Sequence, residues 1–241
     1  MDFLPQIVTK YTQIAAFMAK ELAIFGGSFN PVHLGHLIVA ECCLEQAHLD
    51  RVIFMPAATP PHKQNSPIAC SEDRIAMVRL AIAGHDKLDI SLNECDRGGI
   101  SYTVDTVSDL VARHPHDCFS LILGPDALRD LPSWRTPRKI LDLVTILAIE
   151  RRGIDDIDKT LQEPRLKALL SNEQSQLIKK RRIRVPGIGI RAEQIREEIA
   201  AGHSIRFRTP RDVEQFILHN QLYRTGKKNS TATSSQEVSK R

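Results

Sequence analysis

Residues 26–36 form a glycine- and proline-containing stretch between an apolar run and a helical pattern, and they constrain the fold more than any other part of the chain. The apolar run 22–25 predicts a buried strand, and the residues from Leu37 onward predict a helix. A strand followed by a glycine turn and a helix directs backbone N–H groups and the positive end of the helix dipole towards an anion such as a phosphate. The spacing of His33 and His36 places both rings on one side of the predicted helix start.

A histidine pair at this spacing also has other interpretations. By itself it is typical of an ordinary helix N-terminus with two polar side chains, or of an incidental metal site. The complete string G-G-S-F-N-P-V-H-L-G-H favours a phosphate site, because its two glycines allow a close approach of the backbone and Pro31 fixes the turn.

Strand patterns alternate with helical patterns along the chain, which predicts an α/β fold with a parallel sheet and helices on both faces. The predicted strands are residues 22–25, 52–56, 88–92, 119–123, 144–149 and 183–185. Helices are predicted to begin at Leu37, near Val104 and at Ala192. Two more are predicted to follow N-caps at Ser71 and Thr209, and the region 154–180 is predicted to be helical with a boundary at Pro164. The helix after Ser71 is expected to bury Ile75, Val78 and Ile82.

The length of 241 residues suits one domain, which is predicted over residues 21–224. Residues 1–20 are interpreted as a poorly ordered extension, with Met18 as an alternative start, and the polar tail 225–241 as disordered. Four basic residues and one acidic residue give this tail +3 of the net charge of +4. The body is therefore nearly neutral, which argues against a nucleic-acid partner.

The five cysteines lack C-x-x-C spacing, which is typical of reduced thiols and favours a cytoplasmic protein. No apolar run approaches the roughly 20 residues that span a membrane, so no membrane partner is expected. Residues 1–20 lack the pattern of a signal peptide. The sequence leaves open whether the chain forms a homo-oligomer.

The stretch 26–36 resembles the signature G-x-F-x-P-x-H-x-G-H of the nucleotidyltransferase superfamily, in the version carried by nicotinate mononucleotide adenylyltransferases. The similarity to this family extends over roughly residues 21–223. Its further segments are P-P-H-K at 60–63, S-Y-T-V-D-T at 101–106, G-P-D-A-L at 124–128, L-x-x-W at 131–134 and R-R-G at 151–153. The resemblance implies the Rossmann-like, doubly wound parallel sheet of the HxGH nucleotidyltransferases, followed by C-terminal helices.

The same resemblance implies transfer of AMP from ATP to nicotinate mononucleotide in NAD synthesis, with Mg²⁺ accompanying ATP and no metal ligands assigned to the chain. Such a reaction needs positioning and charge neutralisation more than a general base, because the attacking phosphate is already an anion. The residues expected to be catalytic are His33, His36, Lys63 and Arg196. Those expected to bind ATP are Gly26, Gly27, Ser28, Phe29, Gly35, Gly124, Asp126 and Arg191. Those expected to bind nicotinate mononucleotide are Tyr102, Thr103, Trp134 and Arg151.

Several of these residues also have ordinary structural interpretations. Lys63 suits a solvated surface turn, and either Ser101 or Thr103 suits the N-cap of the following helix. Asp126 suits a helix cap, and a lone tryptophan such as Trp134 is more often packed against its own protein.

The chain departs from the family near its C-terminal helices. The family pattern I-S-S-T-x-I-R is replaced by I-R-A-E-Q-I-R at 190–196, which retains Arg196 but loses three hydroxyl groups. This loss is expected to weaken triphosphate binding by roughly 1 kcal/mol per net hydrogen bond. Glu193 would repel phosphate. We hypothesise that Arg191 compensates for the lost hydroxyl groups, because its charged, planar guanidinium group can donate two hydrogen bonds to a phosphate.

Other functions remain open at this point. Nicotinamide mononucleotide is an alternative acceptor, whereas the S-Y-T-V-D-T segment and Trp134 argue against phosphopantetheine. A class I aminoacyl-tRNA synthetase would need further regions for which this chain has no room. The altered segment 191–193 favours one alternative of another class, a nucleotide-binding sensor without turnover.

Overall fold

The computed structural model describes residues 19–59 and 69–224, and a six-stranded parallel sheet forms its centre. The strands are β1 (Glu21–Gly27), β2 (Arg51–Pro56), β3 (Leu88–Ile90), β4 (Cys118–Leu123), β5 (Thr145–Arg151) and β6 (Ile183–Val185). Their order across the sheet is β3-β2-β1-β4-β5-β6, and each neighbouring pair is parallel. The central strands are apolar runs because helices cover both faces of the sheet.

Helices connect the strands and form the two outer layers. The helices are α1 (Leu34–Gln46), α2 (Ser71–Ile82), α3 (Asn93–Arg97), α4 (Thr103–Arg113), α5 (Pro125–Asp130), α6 (Pro137–Leu143), α7 (Ile157–Thr160), α8 (Pro164–Leu169), α9 (Asn172–Lys180), α10 (Ala192–Ala200) and α11 (Arg211–His219). A short 3₁₀ helix, Leu131–Ser133, lies between α5 and α6.

Two buried clusters fill the spaces on the two sides of the sheet. Successive side chains of a strand point to opposite faces, so Ala23 of β1 lies in one cluster while Leu22 and Ile24 lie in the other. The first cluster receives side chains from α1, α2, α10 and α11, and the second from α4 to α9. The predicted doubly wound parallel sheet with C-terminal helices is therefore confirmed.

Several element boundaries differ from the predictions. The third strand ends at Ile90 instead of Leu92. The region 154–180 contains three helices, α7, α8 and α9, and Pro164 is the first residue of α8. Proline fits there because the first helical residue needs no hydrogen bond from its backbone nitrogen.

Three predicted helix caps are wrong. Helix α2 is capped by Cys70, whose Sγ accepts a hydrogen bond from the N–H of Asp73 at 3.4 Å, so Ser71 is already helical. The residue preceding α11 is Pro210, and the hydroxyl of Thr209 is buried without a hydrogen-bond partner among the described residues. The N-cap of α4 is Tyr102, which lies between the two residues proposed for this role, Ser101 and Thr103.

The predicted burial of α2 is only partly correct. Val78 and Ile82 are buried as expected, but Ile75 is half-buried, and Arg74 and Met77 lie on the buried face. An arginine occupies this face because its guanidinium group finds hydrogen-bond acceptors within the protein.

The predicted termini fall almost entirely outside the described residues. Of the proposed extension 1–20, the structure describes Ala19 and Lys20, and of the tail 225–241 it describes nothing. The proposed domain boundaries therefore stay predictions. Within residues 19–59 and 69–224, no helix is both long and apolar enough to cross a lipid bilayer.

Candidate active site

The expected site residues follow the carboxyl ends of the strands. Strands β1 and β4 are neighbours at the centre of the sheet, yet β1 leads into α1 on one face and β4 leads into α5 on the other. A crevice forms at such a point, where successive connections leave the sheet in opposite directions, and ligands of open α/β sheets bind there. The fold therefore places the glycine-rich stretch after β1 beside the Gly124 turn after β4.

The glycine corner, defined as residues 26–29, turns sharply at the end of β1. A Cβ atom on Gly27 would lie 3.0 Å from Cζ of Phe29, so a larger residue there would force the Phe29 ring to shift. Phe29 itself is buried and has φ of 43°, a left-handed conformation that is rare for a bulky residue. A Cβ on Gly26 would meet no atom of the described residues within 4 Å, so a ligand has room to approach the backbone from this side.

The two histidines stack on each other at the start of α1. The centroids of the His33 and His36 rings are 3.8 Å apart, with an interplanar angle of 29°. Nδ1 of His36 accepts a hydrogen bond from the backbone N–H of His33 at 3.2 Å, which fixes the His36 ring over the helix start. Phe29 contacts the same ring edge-on, with a centroid distance of 5.1 Å. The expectation that both imidazoles lie on one side is confirmed.

Gly35 provides the space that the His33 ring needs. A Cβ atom on Gly35 would lie 3.0 Å from Nδ1 of His33 and 3.1 Å from its Cε1. The Nδ1 atom of His33 is buried and has no hydrogen-bond partner among the described residues. Any larger residue at position 35 would therefore displace the ring.

Burial keeps the His33 imidazole neutral at physiological pH. The residue is 7 % exposed, and this desolvation lowers its pKa to about 4. His33 can therefore offer a hydrogen bond to a phosphate at pH 7 but no charge.

The backbone N–H groups at the start of α1 are partly used within the protein. The N–H of Leu34 donates to the carbonyl oxygen of Arg208 at 3.0 Å, and that of His36 donates to the carbonyl of His33 at 2.9 Å. These two amides are therefore occupied within the protein, and an anion at this helix start would need donors from elsewhere, such as the neighbouring side chains.

Arg196 reaches the glycine corner through the residue that follows it, Asn30. The Nη1 atom of Arg196 donates to the carbonyl oxygen of Asn30 at 2.8 Å. The side-chain Oδ1 of Asn30 accepts hydrogen bonds from the Tyr223 hydroxyl at 2.7 Å and from the N–H of Ala69 at 3.1 Å. Asn30 thus joins three separate segments beside the histidines.

The segment expected to bind the pyridine nucleotide lies at the start of α4. Tyr102 is half-buried, and the guanidinium carbon of Arg135 lies 4.7 Å from the centre of its ring. Arg135 also pairs with Asp105 of α4, with 3.3 Å between Nη1 and Oδ2. Thr103 is the first residue of α4, so its backbone lies at the positive end of the helix dipole, which suits a carboxylate.

The turn after β4 holds two more of the expected residues. Gly124 precedes α5, and a Cβ there would lie more than 4 Å from every atom that it could meet in residues 19–59 and 69–224. Asp126 does not cap this helix: it is its second residue, its side chain is exposed, and its Oδ1 accepts a hydrogen bond from Arg129 at 2.7 Å. Trp134 is half-buried against the second core cluster, so packing accounts for part of its ring.

Arg151, at the end of β5, is held by a carboxylate. Its Nε and Nη2 atoms donate to the two oxygens of Asp155 at 2.7 and 3.0 Å, and its backbone N–H donates to Oδ2 at 2.9 Å. Burial by itself would raise the pKa of Asp155, but these hydrogen bonds outweigh it and hold the pKa below its ordinary value. The Arg151 guanidinium is therefore fixed in orientation with two of its donors already used.

The altered segment 191–193 borders a cavity of about 400 Å³. The cavity is lined by Gly189, Arg191, Glu193, Gln194 and Glu197. It therefore contains two carboxylates and one guanidinium, which is an unusual composition for a phosphate site. Lys63, the remaining residue expected to be catalytic, lies outside the described residues.

A second cavity, of about 350 Å³, lies at the opposite edge of the sheet. Its lining includes Cys118, Phe119, Val144 and Thr145, which stand at the amino ends of β4 and β5. Its position separates it from the predicted site residues.

Sequence reasoning missed a buried polar network beneath Tyr102. The Glu94 carboxylate accepts a hydrogen bond from the Thr106 hydroxyl at 2.7 Å, and Arg97 donates to the same hydroxyl at 3.1 Å. Burial raises the pKa of Glu94, although the hydroxyl groups of Thr106 and Ser101 oppose the rise. The helical spacing of Asn93–Arg97 offered no apolar stripe that would have indicated burial of Glu94.

Comparison with known proteins agrees with this geometry. Residues 24–206 match the family model described as Cytidylyltransferase-like. A Synechococcus sp. (strain JA-2-3B'a(2-13)) protein named "Probable nicotinate-nucleotide adenylyltransferase" is 39 % identical over 204 residues, which cover 85 % of this chain and 97 % of that protein. A protein of the same name from Halalkalibacterium halodurans is 34 % identical over 221 residues, covering 91 % and 99 % of the two chains.

A solved structure shares the fold. The nicotinic acid mononucleotide adenylyltransferase of Plasmodium falciparum, complexed with NaAD, superposes with a TM-score of 0.64 at 17 % identity, and the match covers 85 % of this chain and 97 % of that chain. Together, the family match, the relatives and the site geometry show that this chain belongs to the nicotinate-nucleotide adenylyltransferases within the cytidylyltransferase-like family.

Proposed function

We propose that this chain transfers AMP from ATP to nicotinate mononucleotide, which yields nicotinate adenine dinucleotide and pyrophosphate in NAD synthesis. The observation that carries the proposal is the meeting of two half-sites at the carboxyl edge of the sheet. One half-site is the glycine corner with its stacked histidines after β1. The other is the start of α4, where Tyr102 and Arg135 lie together. The names of the relatives support the same reaction.

In the proposed reaction the phosphate oxygen of nicotinate mononucleotide attacks the α-phosphorus of ATP. The new bond joins that oxygen to phosphorus, while the bond from phosphorus to the departing pyrophosphate oxygen breaks. Negative charge moves onto the leaving group, so the protein must place hydrogen-bond donors and cations around it. No proton has to be removed from the attacking phosphate.

We assign to the residues around the glycine corner the stabilisation of this negative charge on the leaving pyrophosphate. The neutral His33 supplies a hydrogen bond, and His36, held by the His33 N–H, supplies a second imidazole at a fixed position. Arg196 is anchored to Asn30 through Nη1, and we assign its other N–H donors to phosphate oxygens. Lys63 is proposed to reach the phosphates as well.

No group of three His, Cys, Asp or Glu side chains in residues 19–59 and 69–224 is arranged to hold a metal ion. In the proposed reaction Mg²⁺ is carried by the triphosphate.

Arg135 favours nicotinate over nicotinamide mononucleotide as the acceptor. Its guanidinium lies over the Tyr102 ring, where its charge attracts a pyridine carboxylate but gains little from a neutral amide. Because Arg135 is exposed and paired with Asp105, replacing it by alanine should lower the preference for nicotinate by only about fivefold at most, the range of an exposed ion pair. Arg113→Ala, which removes an exposed arginine paired with Asp109, is the matched control.

Pyrophosphate release with ATP and each acceptor tests the proposal directly. Turnover with nicotinate mononucleotide, at a higher kcat/KM than with nicotinamide mononucleotide, is the expected result. The two carboxylates in the cavity beside Arg191 favour one alternative, a nucleotide-binding sensor with weakened phosphate contacts. Binding of ATP without release of pyrophosphate in the presence of any acceptor would support that sensor and refute the transferase.

A further inference from the structure

Arg74 is a charged residue in the interior of the protein, and the mechanism above does not use it. It lies in the first turn of α2 and is 1 % exposed. Its guanidinium donates to the carbonyl oxygens of Ser28, Ala58 and Ala69 at 2.9, 3.2 and 3.2 Å, and to the hydroxyl of Ser71 at 3.1 Å. All four acceptors are neutral, so these hydrogen bonds do not neutralise the buried charge.

Burying a charge among neutral acceptors is unfavourable compared with burying an apolar side chain. The burial of Arg74 accordingly lowers its pKa. A role in packing alone would be served as well by leucine or methionine, which need no acceptors. The guanidinium does provide one property that these residues lack, a planar fork that donates to several acceptors in fixed directions.

Two of the acceptors of Arg74, Ser28 and Ala58, belong to segments that are distant in sequence, 46 and 16 residues away. Ser28 lies in the glycine corner, and Ala58 lies in the segment that leaves β2. The backbone of Ala58 is held on both sides of its Cα atom, because its carbonyl accepts from Arg74 and its N–H donates to the hydroxyl of Ser101 at 2.9 Å. The N–H of Ser101 in turn donates to the carbonyl of Thr59 at 3.1 Å, immediately before Tyr102.

A continuous chain of hydrogen bonds therefore runs from the glycine corner to the start of α4. We propose that Arg74 is a positioning residue that fixes the distance between the ATP half-site and the half-site of the attacking mononucleotide. This inference rests on the proposed adenylyl transfer for its effect on turnover, but its effect on the backbone is independent of that reaction. An in-line attack between two separately bound substrates is sensitive to such a distance, since a misplacement of about 1 Å can cost about 100-fold in rate.

The test compares three variants with the wild type. Arg74→Met removes the fork and keeps similar bulk, and Arg74→Lys keeps the charge without the planar geometry. Met77→Ala is the control, because Met77 is fully buried on the same helix and contributes only packing. Each variant is characterised by its Tm, by kcat and KM for ATP and nicotinate mononucleotide, and by hydrogen exchange at the amides of Ala58 and Ser101.

Arg74→Met should lower kcat by about 100-fold while each KM stays within threefold, because each substrate still finds its own half-site. Arg74→Lys should recover part of the loss. Hydrogen exchange at Ala58 and Ser101 should accelerate in both Arg74 variants. Met77→Ala should lower Tm. Its kcat, measured at a temperature at which the variant is folded, and the hydrogen exchange of the Ala58 and Ser101 amides should stay unchanged. If Arg74→Met does not fold, Arg74→Lys is compared with the wild type and with Met77→Ala by the same measurements.

Two outcomes would overturn the inference. One is a kcat for the Arg74 variants within threefold of the wild type, and the other is an equal loss in Met77→Ala at a comparable Tm. If the wild-type chain releases no pyrophosphate, the proposed function fails. Hydrogen exchange then decides the positioning role: unchanged exchange at Ala58 and Ser101 in the Arg74 variants refutes it.

Discussion

Mild acid should destabilise this protein through His33. The ring is 7 % exposed, and burial lowers its pKa to about 4, whereas the pKa of histidine in an unfolded chain is about 6.5. As the pH falls below 6.5, the unfolded chain takes up a proton that the folded chain refuses, so stability decreases until the pH reaches about 4. For these two pKa values, the loss between pH 7.5 and pH 5.0 is about 2 kcal/mol.

Urea unfolding at pH 7.5 and pH 5.0 measures this loss, and His33→Asn isolates it from the other titrating groups. Asparagine keeps a polar side chain at the helix start but takes up no proton. The variant should therefore lose about 2 kcal/mol less than the wild type over this pH interval. If the two proteins lose the same stability to within about 0.5 kcal/mol, His33 is not held neutral by burial and the reasoning is wrong.

Three further predictions concern single residues. His36→Ala should lower kcat by about 10²- to 10³-fold, the usual cost of removing one charge-stabilising donor, and parental turnover in the pyrophosphate assay would contradict its assigned role. Arg191→Ala should raise the KM for ATP by about fivefold, and Glu193→Thr should lower it by about fivefold, since each change is equivalent to one net hydrogen bond. An unchanged KM for ATP in Arg191→Ala would contradict the hypothesis that Arg191 compensates for the lost hydroxyl groups. Gly202→Ala should lower the free energy of unfolding by roughly 1–2 kcal/mol because of the left-handed backbone, with φ of 76°. Gly189→Ala, which has equally open surroundings and no positive φ, should cost much less in the same denaturation experiment.

The sequence was sufficient to predict the sheet because local patterns determine it. Apolar runs of four to six residues identify four of the buried parallel strands, whereas 88–92 and 183–185 alternate apolar and polar residues, and all six predicted strands are present. The position of both histidines on one side of the helix start was also predictable from their three-residue spacing, although the stacking of the two rings was not.

The contacts that join the half-sites were not predictable in the same way. Arg74 contacts Ser28 and Ala58, which are 46 and 16 residues away, and such pairs leave no periodic signal in one sequence. The one available indication was the four-residue spacing between Arg74 and the buried Val78, which places a charged residue on an apolar helical face. The cap of α2 was missed for a related reason, because serine is the more common N-cap and Cys70 precedes it.

The contacts of Arg196 determine which kinetic constant the altered segment should affect. Arg196 is tied to the carbonyl of Asn30, and the side chain of Asn30 is tied to Tyr223, so α10 is anchored to the glycine corner independently of residues 191–193. The replacement of the family's hydroxyl groups therefore changes the lining of the cavity beside Arg191, while α10 keeps its position relative to the two histidines. Contacts to phosphates that form equally in the bound substrate and in the transition state alter KM and leave kcat unchanged. We thus expect the departure from the family pattern to weaken the affinity for ATP without reducing the rate of the chemical step.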